Sequence, residues 1–264
     1  MNSKAPILML ILSVVAVLVT VFCPLPAVGQ NDIFRTSYEC SDLKGNPRWK
    51  AVTEIFASPE KGAGINTLIE RGTGIYGGFK EEISWQSELE YTRENEQIKP
   101  VKNHTVIFNT SGELISVENQ EFDYTSSRAT FTREDKKSGK VYKEVFTIKE
   151  DIVNRLILGL YIQQFLKKDK KETVIQMLSN EPKLIKCRLY IVGEEEIEVI
   201  GQKMQAYKLC LDPQLGLLNF VKVLIPKSYV WHSAKPDFEW LKYNGLEVNL
   251  SSPIVEIKKS EYRI

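Results

Sequence analysis

The sequence predicts a mainly β protein in which one curved antiparallel sheet, or an open half-barrel, wraps around a single apolar helix at about residues 151–166. Three observations predict it. From Asp32 onward, apolar residues recur at every second position between turn clusters, the pattern of half-buried antiparallel strands. One stretch, Asp151 to Leu166, breaks that period and is apolar on nearly every face of a helix, except for the stripe Arg155, Gly159 and Gln163. Such a helix spans about 22 Å, short of the ~30 Å hydrocarbon slab, so the strands on either side are expected to enclose it.

The elements follow in order. Ile33 to Cys40 is the first strand, closed by the turn Ser41 to Gly45, and Trp49 to Ala57 is the second. Ile65 to Arg71 leads into a glycine-rich bend. Ile83, Trp85, Leu89 and Tyr91 then alternate with polar residues along a strong strand. Val101 to Phe108 and Glu113 to Glu118 flank the turn Asn109 to Gly112, while Phe122 to Arg133 and Lys140 to Ile148 flank the polar loop Asp135 to Gly139. For the helix, Asp151 is the expected N-cap, and Lys167, Lys168, Lys170 and Lys171 suit the negative end of its dipole. Gly159 in its middle costs about 1 kcal/mol against Ala, which points either to a close backbone approach or to a tolerated glycine. A second β-run follows: Thr173 to Leu178, Lys183 to Val192, Ile197 to Ile200, Lys203 to Leu211 and Leu217 to Ile225. Gly193 and Gly201 mark bends in it, and Pro213 and Pro226 stop strands. A turn at Asn244-Gly245 precedes a last strand, Val255 to Lys258. No low-complexity linker separates the two β-runs, so residues 30–264 are expected to form one domain.

Before that domain, Lys4 precedes an apolar run from Ile7 to Phe22, Pro24 and Pro26 break it, and Ala27-Val28-Gly29 supplies small residues for a signal peptidase. Residues 1–29 therefore read as a signal peptide, which implies a periplasmic or secreted protein after cleavage near Gly29. A retained anchor is the alternative, and it would be the only membrane contact. Cys23 is not read as a lipoprotein site, because Phe22 stands where a small residue is needed. With 35 Lys and Arg against 34 Asp and Glu, no global field points to nucleic acid. Cys40, Cys187 and Cys210 follow the leader. Cys187 and Cys210, on neighbouring strands, are a possible disulfide, with three buried thiols as the alternative.

No motif carries catalysis. Gly72-Thr73-Gly74-Ile75-Tyr76-Gly77 matches the dinucleotide fingerprint, but the residues after it alternate with period two, so no helix opens there and a bend or bulge is expected. The only histidines, His104 and His232, lie far apart, and neither metal-ligand spacing nor a nucleophile motif surrounds them. Glu81-Glu82 and Glu194 to Glu196 read as solvated turns or edges. The aromatic cluster Tyr229, Trp231, Phe238, Trp240 and Tyr243 is either core or the wall of a groove. Asn103, Asn109 and Asn249 open glycosylation sequons.

The opening Tyr38 to Ser41 (Y-x-C-S), Asp151 to Leu156 (D-I-V-N-R-L), the segment Gly193, Glu195, Ile197, Val199 and Gly201, and the stretch Trp240 to Gly245 together resemble a family of uncharacterised secreted bacterial envelope proteins. That resemblance covers most of the mature chain. It implies a curved sheet around a helix, similar to the half-barrels of periplasmic lipid and lipoprotein carriers, and it brings no catalytic residues.

The expectation is thus a non-enzymatic envelope protein that needs no cofactor or metal and takes an apolar small molecule, lipid or lipoprotein, with Trp85, Trp231, Phe238 and Trp240 lining the site. A structural or assembly partner whose helix fills the sheet is the alternative, with an envelope protein as its partner. A glycan- or lipid-acting enzyme is the third reading. A cavity beside the helix favours the carrier; a filled core favours the scaffold.

Overall fold

A computed structural model describes residues 32–57, 64–94, 97–149, 151–178, 183–214, 225–248 and 252–261. The leader read at 1–29, the strand expected from Leu217 and the sequon at Asn249 lie outside them. In chain order the strands are β1 (Asp32–Asp42), β2 (Pro47–Ala57), β3 (Ile65–Gly74), β4 (Ile83–Glu94), β5 (Gln97–Asn109), β6 (Leu114–Asp123), β7 (Arg128–Asp135), β8 (Val141–Thr147) and β9 (Asp151–Asn154). After the helix α1 (Leu158–Lys167) come β10 (Glu172–Leu178), β11 (Leu184–Val199), β12 (Gln202–Pro213), β13 (Ser228–Ser233), β14 (Trp240–Leu246) and β15 (Ile254–Glu261).

All fifteen strands belong to one open sheet in the order β8-β7-β6-β5-β4-β3-β2-β1-β15-β14-β13-β12-β11-β10-β9. Each strand pairs mainly with its sequence neighbour, because tight turns such as Asp42 to Asn46 fold the chain back on itself. Asp42 shows how: its carboxylate accepts the Lys44 and Asn46 backbone N–H groups at 2.8 and 2.9 Å. The pairing of β1 with β15 joins the two β-runs into a single surface. That surface curls until its ends share an apolar cluster, Phe122 and Ala129 from one end and Ile152 and Leu178 from the other.

The helix is shorter than expected. Residues 151–154 form β9, which runs parallel to β10 with Ile152 opposite Gln176 and Val153 opposite Met177. Ile152 enters the cluster between the sheet ends, while Val153 enters the main core. A two-residue apolar run buried on both sides looks the same in sequence whether it is strand or helix, and here its β-branched pair belongs to the strand. Asp151 is accordingly not an N-cap; its carboxylate accepts the Tyr161 hydroxyl at 2.8 Å. Asn154 performs the turn into the helix, its side-chain oxygen accepting the Leu156 and Ile157 N–H groups at 3.1 and 3.3 Å.

Once inside the sheet, α1 buries Ile162, Phe165 and Leu166 against Ile55, Leu68 and Leu89 from the first β-run and Ile175, Leu189, Leu209 and Val230 from the second. At Gly159 the neighbour is not backbone but the Trp240 side chain, 3.4 Å from where a Cβ would stand. Two bends also prove to be continuous strand. Gly193 pairs with Lys208 inside β11, directly after a bulge at Val192. Gly245 lies within β14, where a Cβ would fall 2.3 Å from the Ser228 hydroxyl. Among the described residues no helix is long and apolar enough to cross a membrane.

Candidate functional site

The concave face is not uniformly apolar. Reading the register across the sheet, Thr36 stands opposite Thr53, Thr53 opposite Glu70, Glu70 opposite Ser87, Ser87 opposite Thr105, Thr105 opposite Glu118, and Glu118 opposite Arg133. Six of these seven are buried, from Ser87 at 1% to Glu70 at 6% exposed. A polar girdle thus crosses seven strands and divides the interior. On one side Ile55, Leu68 and Leu89 pack on the helix; on the other Ala51, Trp85, Ile107 and Tyr76 make a second apolar cluster.

Buried polar groups persist only where they are satisfied, and this girdle is knitted together. Ser87 and Thr105 share a hydroxyl hydrogen bond of 2.8 Å. Arg155, delivered by the turn between β9 and α1, grips Glu70 with Nη1 to Oε2 at 3.1 Å and Nη2 to Oε1 at 2.6 Å. The Trp85 indole N–H donates to the same carboxylate at 2.8 Å. Burial would depress the Arg155 pKa, but Glu70, Tyr76 and Glu118 together outweigh it and hold the group above its ordinary range. One link further along, Arg133 reaches Glu118 Oε1 with both Nε and Nη2 at 2.8 Å. Burial raises the Glu118 pKa, and Arg133 opposes that rise.

The glycine motif serves this region. Gly72 stands opposite Trp85, and a Cβ there would lie 2.1 Å from the indole ring, so only glycine lets the ring lie flat across β3. No helix follows; the chain turns at Gly77 and Gly78, both at positive φ. Tyr76 then stacks on Trp85 with centroids 4.8 Å apart. Between this turn and the girdle lies a cleft of about 150 Å³, walled by Tyr76, Phe79, Trp85 and Ile107 and by Thr105, Glu118, Arg133 and Arg155. A second cleft of about 150 Å³ lies beside the helix, over Ile98, Ile152 and Phe165, with Lys99, Lys168 and Lys170 at its rim.

The four aromatic residues expected to line one site are distributed over three places. Trp85 walls the first cleft. Trp240 packs edge-on against Tyr38 at 4.9 Å and, with Phe238, borders the helix core. Trp231 is on the opposite side of the sheet, in a cluster with Val199 and Ala206. Its indole N–H donates to Glu195 at 2.7 Å, and Lys208 and Lys242 stand over its ring. A single aromatic groove is therefore corrected, because alternate strand positions face opposite sides. The same parity rules out the Cys187–Cys210 disulfide. Cys187 stands opposite Pro213 and faces the helix core, whereas Cys210 stands opposite Tyr229 and faces outward; both are buried thiols. His232 is fully buried, donating Nδ1–H to the Phe238 carbonyl at 2.7 Å, and Asn103 is buried and inaccessible to a glycan.

Glu70, Ser87, Thr105, Glu118 and Arg133 carry no sequence motif, and Arg155 stands out in the sequence only as part of the stripe on the apolar stretch. One signal was legible: Ser87 falls in phase with Ile83, Trp85, Leu89 and Tyr91, a polar residue at an inward position. The Arg155–Glu70 contact, 85 residues apart in sequence, had none.

An open sheet enclosing a helix, with a polar girdle and two small clefts among the described residues, defines a mainly β fold. No family model matches the chain, and no curated protein matches it. Among solved structures, a Bacteroides fragilis protein described as exported, with a YmcC-like fold, aligns over 87% of this chain and 95% of its own at 7% identity and a TM-score of 0.34. A likeness that loose carries no argument about function.

Proposed function

We propose that this is a non-enzymatic protein of the cell envelope that acts as a scaffold or assembly partner, its helix permanently filling the sheet, rather than as a shuttle for whole lipids. The observation that carries this reading is the packing around α1. Ile162 is 0% and Phe165 3% exposed among residues of both β-runs, and the gap left beside the helix is about 150 Å³. A cavity of roughly that volume holds one benzene ring, which is far less than an acyl chain. The envelope assignment rests on the apolar leader at Ile7 to Phe22. The non-enzymatic reading is supported by the interior ion pairs, which tie Arg155 to Glu70 and Arg133 to Glu118.

The test is purification of the full chain from its membranes, followed by native mass spectrometry and solvent extraction. The expected result is a lipid-free protein that takes up no fluorescent fatty acid and co-purifies with a stoichiometric envelope protein. Stoichiometric lipid would overturn it in favour of a second reading, a carrier of anionic amphiphiles. The lysine rim and apolar floor of the cleft beside the helix favour that second reading.

A further inference from the structure

We propose that the free edge of β8 is the docking site for an extended strand of a partner protein, one that carries an acidic residue between two apolar ones on the same face. The inference deepens the scaffold reading and rests on it, because it names the surface and the strand chemistry by which the partner is held.

The backbone sets the kind of occupant. Among the described residues no strand lies beyond β8 in the sheet. Every second residue of such a strand turns its N–H and C=O away from its paired neighbour, and another extended chain meets those groups in a regular row. β8 offers seven residues, contains no proline and pairs with β7 without a register shift, so no backbone device blunts it. The opposite edge is closed to the same use. β9 has four residues, and Ile152, Val153 and Asn154 on it are buried.

Side chains narrow the occupant. Val141, Lys143 and Val145 are exposed and out of phase with Phe146, which packs against the cluster between the sheet ends, so the three share the outer face. On β7 they stand opposite Glu134, Thr132 and Thr130. Neither valine therefore has an apolar cross-strand neighbour there, and among the described residues Lys143 has no ion pair. A strand added at the free edge supplies the missing neighbours, and a row of valine, lysine and valine is matched by apolar, acidic and apolar.

Charge also selects against a second copy of this chain. A two-fold axis joining two such edges antiparallel keeps both outer faces on the same side, so opposed residues differ by an even number. Lys143 would then face Gly139, Val141, Lys143, Val145, Thr147 or Lys149, none of them acidic. The register that pairs all seven residues sets Glu144 against Glu144. Lys143 thus guards the edge against self-pairing while leaving it open to an acid-bearing strand.

The test uses the full chain in detergent, labelled with 15N at valine and lysine, and the capped peptide Thr-Val-Thr-Glu-Thr-Val-Thr as the probe. The expected result is a saturable shift of the Val141, Lys143 and Val145 amide resonances, with those of the buried Val199 and Val230 unmoved. The same peptide with Lys in place of its Glu should bind about threefold more weakly, and Lys143→Glu should reverse that order. Val141→Asn with Val145→Asn, followed at Lys143, should weaken the acid-centred peptide by about fivefold at an unchanged urea midpoint. No saturable shift, equal binding of the two peptides, an order unchanged by Lys143→Glu, or undiminished binding to the folded double variant would each overturn the proposal. So would a concentration-dependent shift of the same resonances without peptide, with a dimer in sedimentation, which would assign the edge to a second copy. If the variants fail to fold, the two peptides on the unmodified chain decide alone. A failed titration sinks the edge and leaves the scaffold reading standing, whereas stoichiometric lipid without a protein partner sinks the scaffold reading and leaves the titration as it is.

Discussion

Arg155 shows how much one side chain can carry in an interior divided by a polar girdle. It satisfies both oxygens of Glu70, whose side chain is 9% exposed, and its guanidinium lies 5.2 Å from the centre of the Tyr76 ring. Arg155→Ala strands a buried carboxylate, so a loss of about 2–4 kcal/mol is expected in urea unfolding at pH 7, larger than for a surface ion pair. His232 behaves differently because it has no charged partner. Burial holds its pKa down at about 4, the Phe238 carbonyl only partly opposing that. The unfolded chain takes up a proton near pH 6.5 and the native one does not until about 4, so U binds more protons across that window. This contribution to stability is therefore complete above about pH 6.5 and falls away towards pH 4, by up to about 3 kcal/mol. Urea midpoints measured between pH 7 and pH 4 should show the fall, and His232→Phe should flatten it. At this scale the sequence exposed little, since Glu70 lies 85 residues from Arg155 and no motif marks His232 or its contact with the Phe238 carbonyl.

The two elements with most at stake are the helix and the free strand edge. Trp240 stands at ordinary van der Waals distance from a Cβ on Gly159, so the glycine is not needed for close backbone packing. Gly159→Ala should then stabilise the protein by up to about 1 kcal/mol through helix propensity. Gly159→Leu should destabilise it by about 1–3 kcal/mol by driving its branch into the indole. Opposite shifts of the thermal midpoint would check both. At the sheet's ends the edges differ. β9 is four residues long, and Asn154 on it donates to Gln120 of β6 at 3.3 Å, whereas β8 is a seven-residue edge with Val141 and Val145 at 68% and 51% exposed. Unprotected apolar edges invite strand addition. Val141→Lys with Val145→Lys should raise the solubility limit, read by light scattering, while leaving the urea midpoint within about 0.5 kcal/mol. Most strands were legible from alternation alone. The helix boundary was not, because Ile152 and Val153 read equally well on a buried strand.

Across the whole molecule, residues from both β-runs meet in one cluster around α1, and β1 pairs with β15. Unfolding should therefore be one event, with tryptophan fluorescence and far-UV circular dichroism giving coincident urea transitions. Two separated transitions would mean that the β-runs fold independently. The mainly β class, the single internal helix and the turns between most strands follow from residue order alone, since side-chain period, turn chemistry and breakers act between near neighbours in the chain. The girdle from Thr36 to Arg133, the opposed faces of Cys187 and Cys210, and the clefts at Trp85 and beside the helix depend on register across many strands. Register is a matter of which residues stand opposite one another, and a slip of one position sends every side chain to the other face. That is why the place of the helix could be read from the chain, while the polar belt that divides its chamber came only from strands brought side by side.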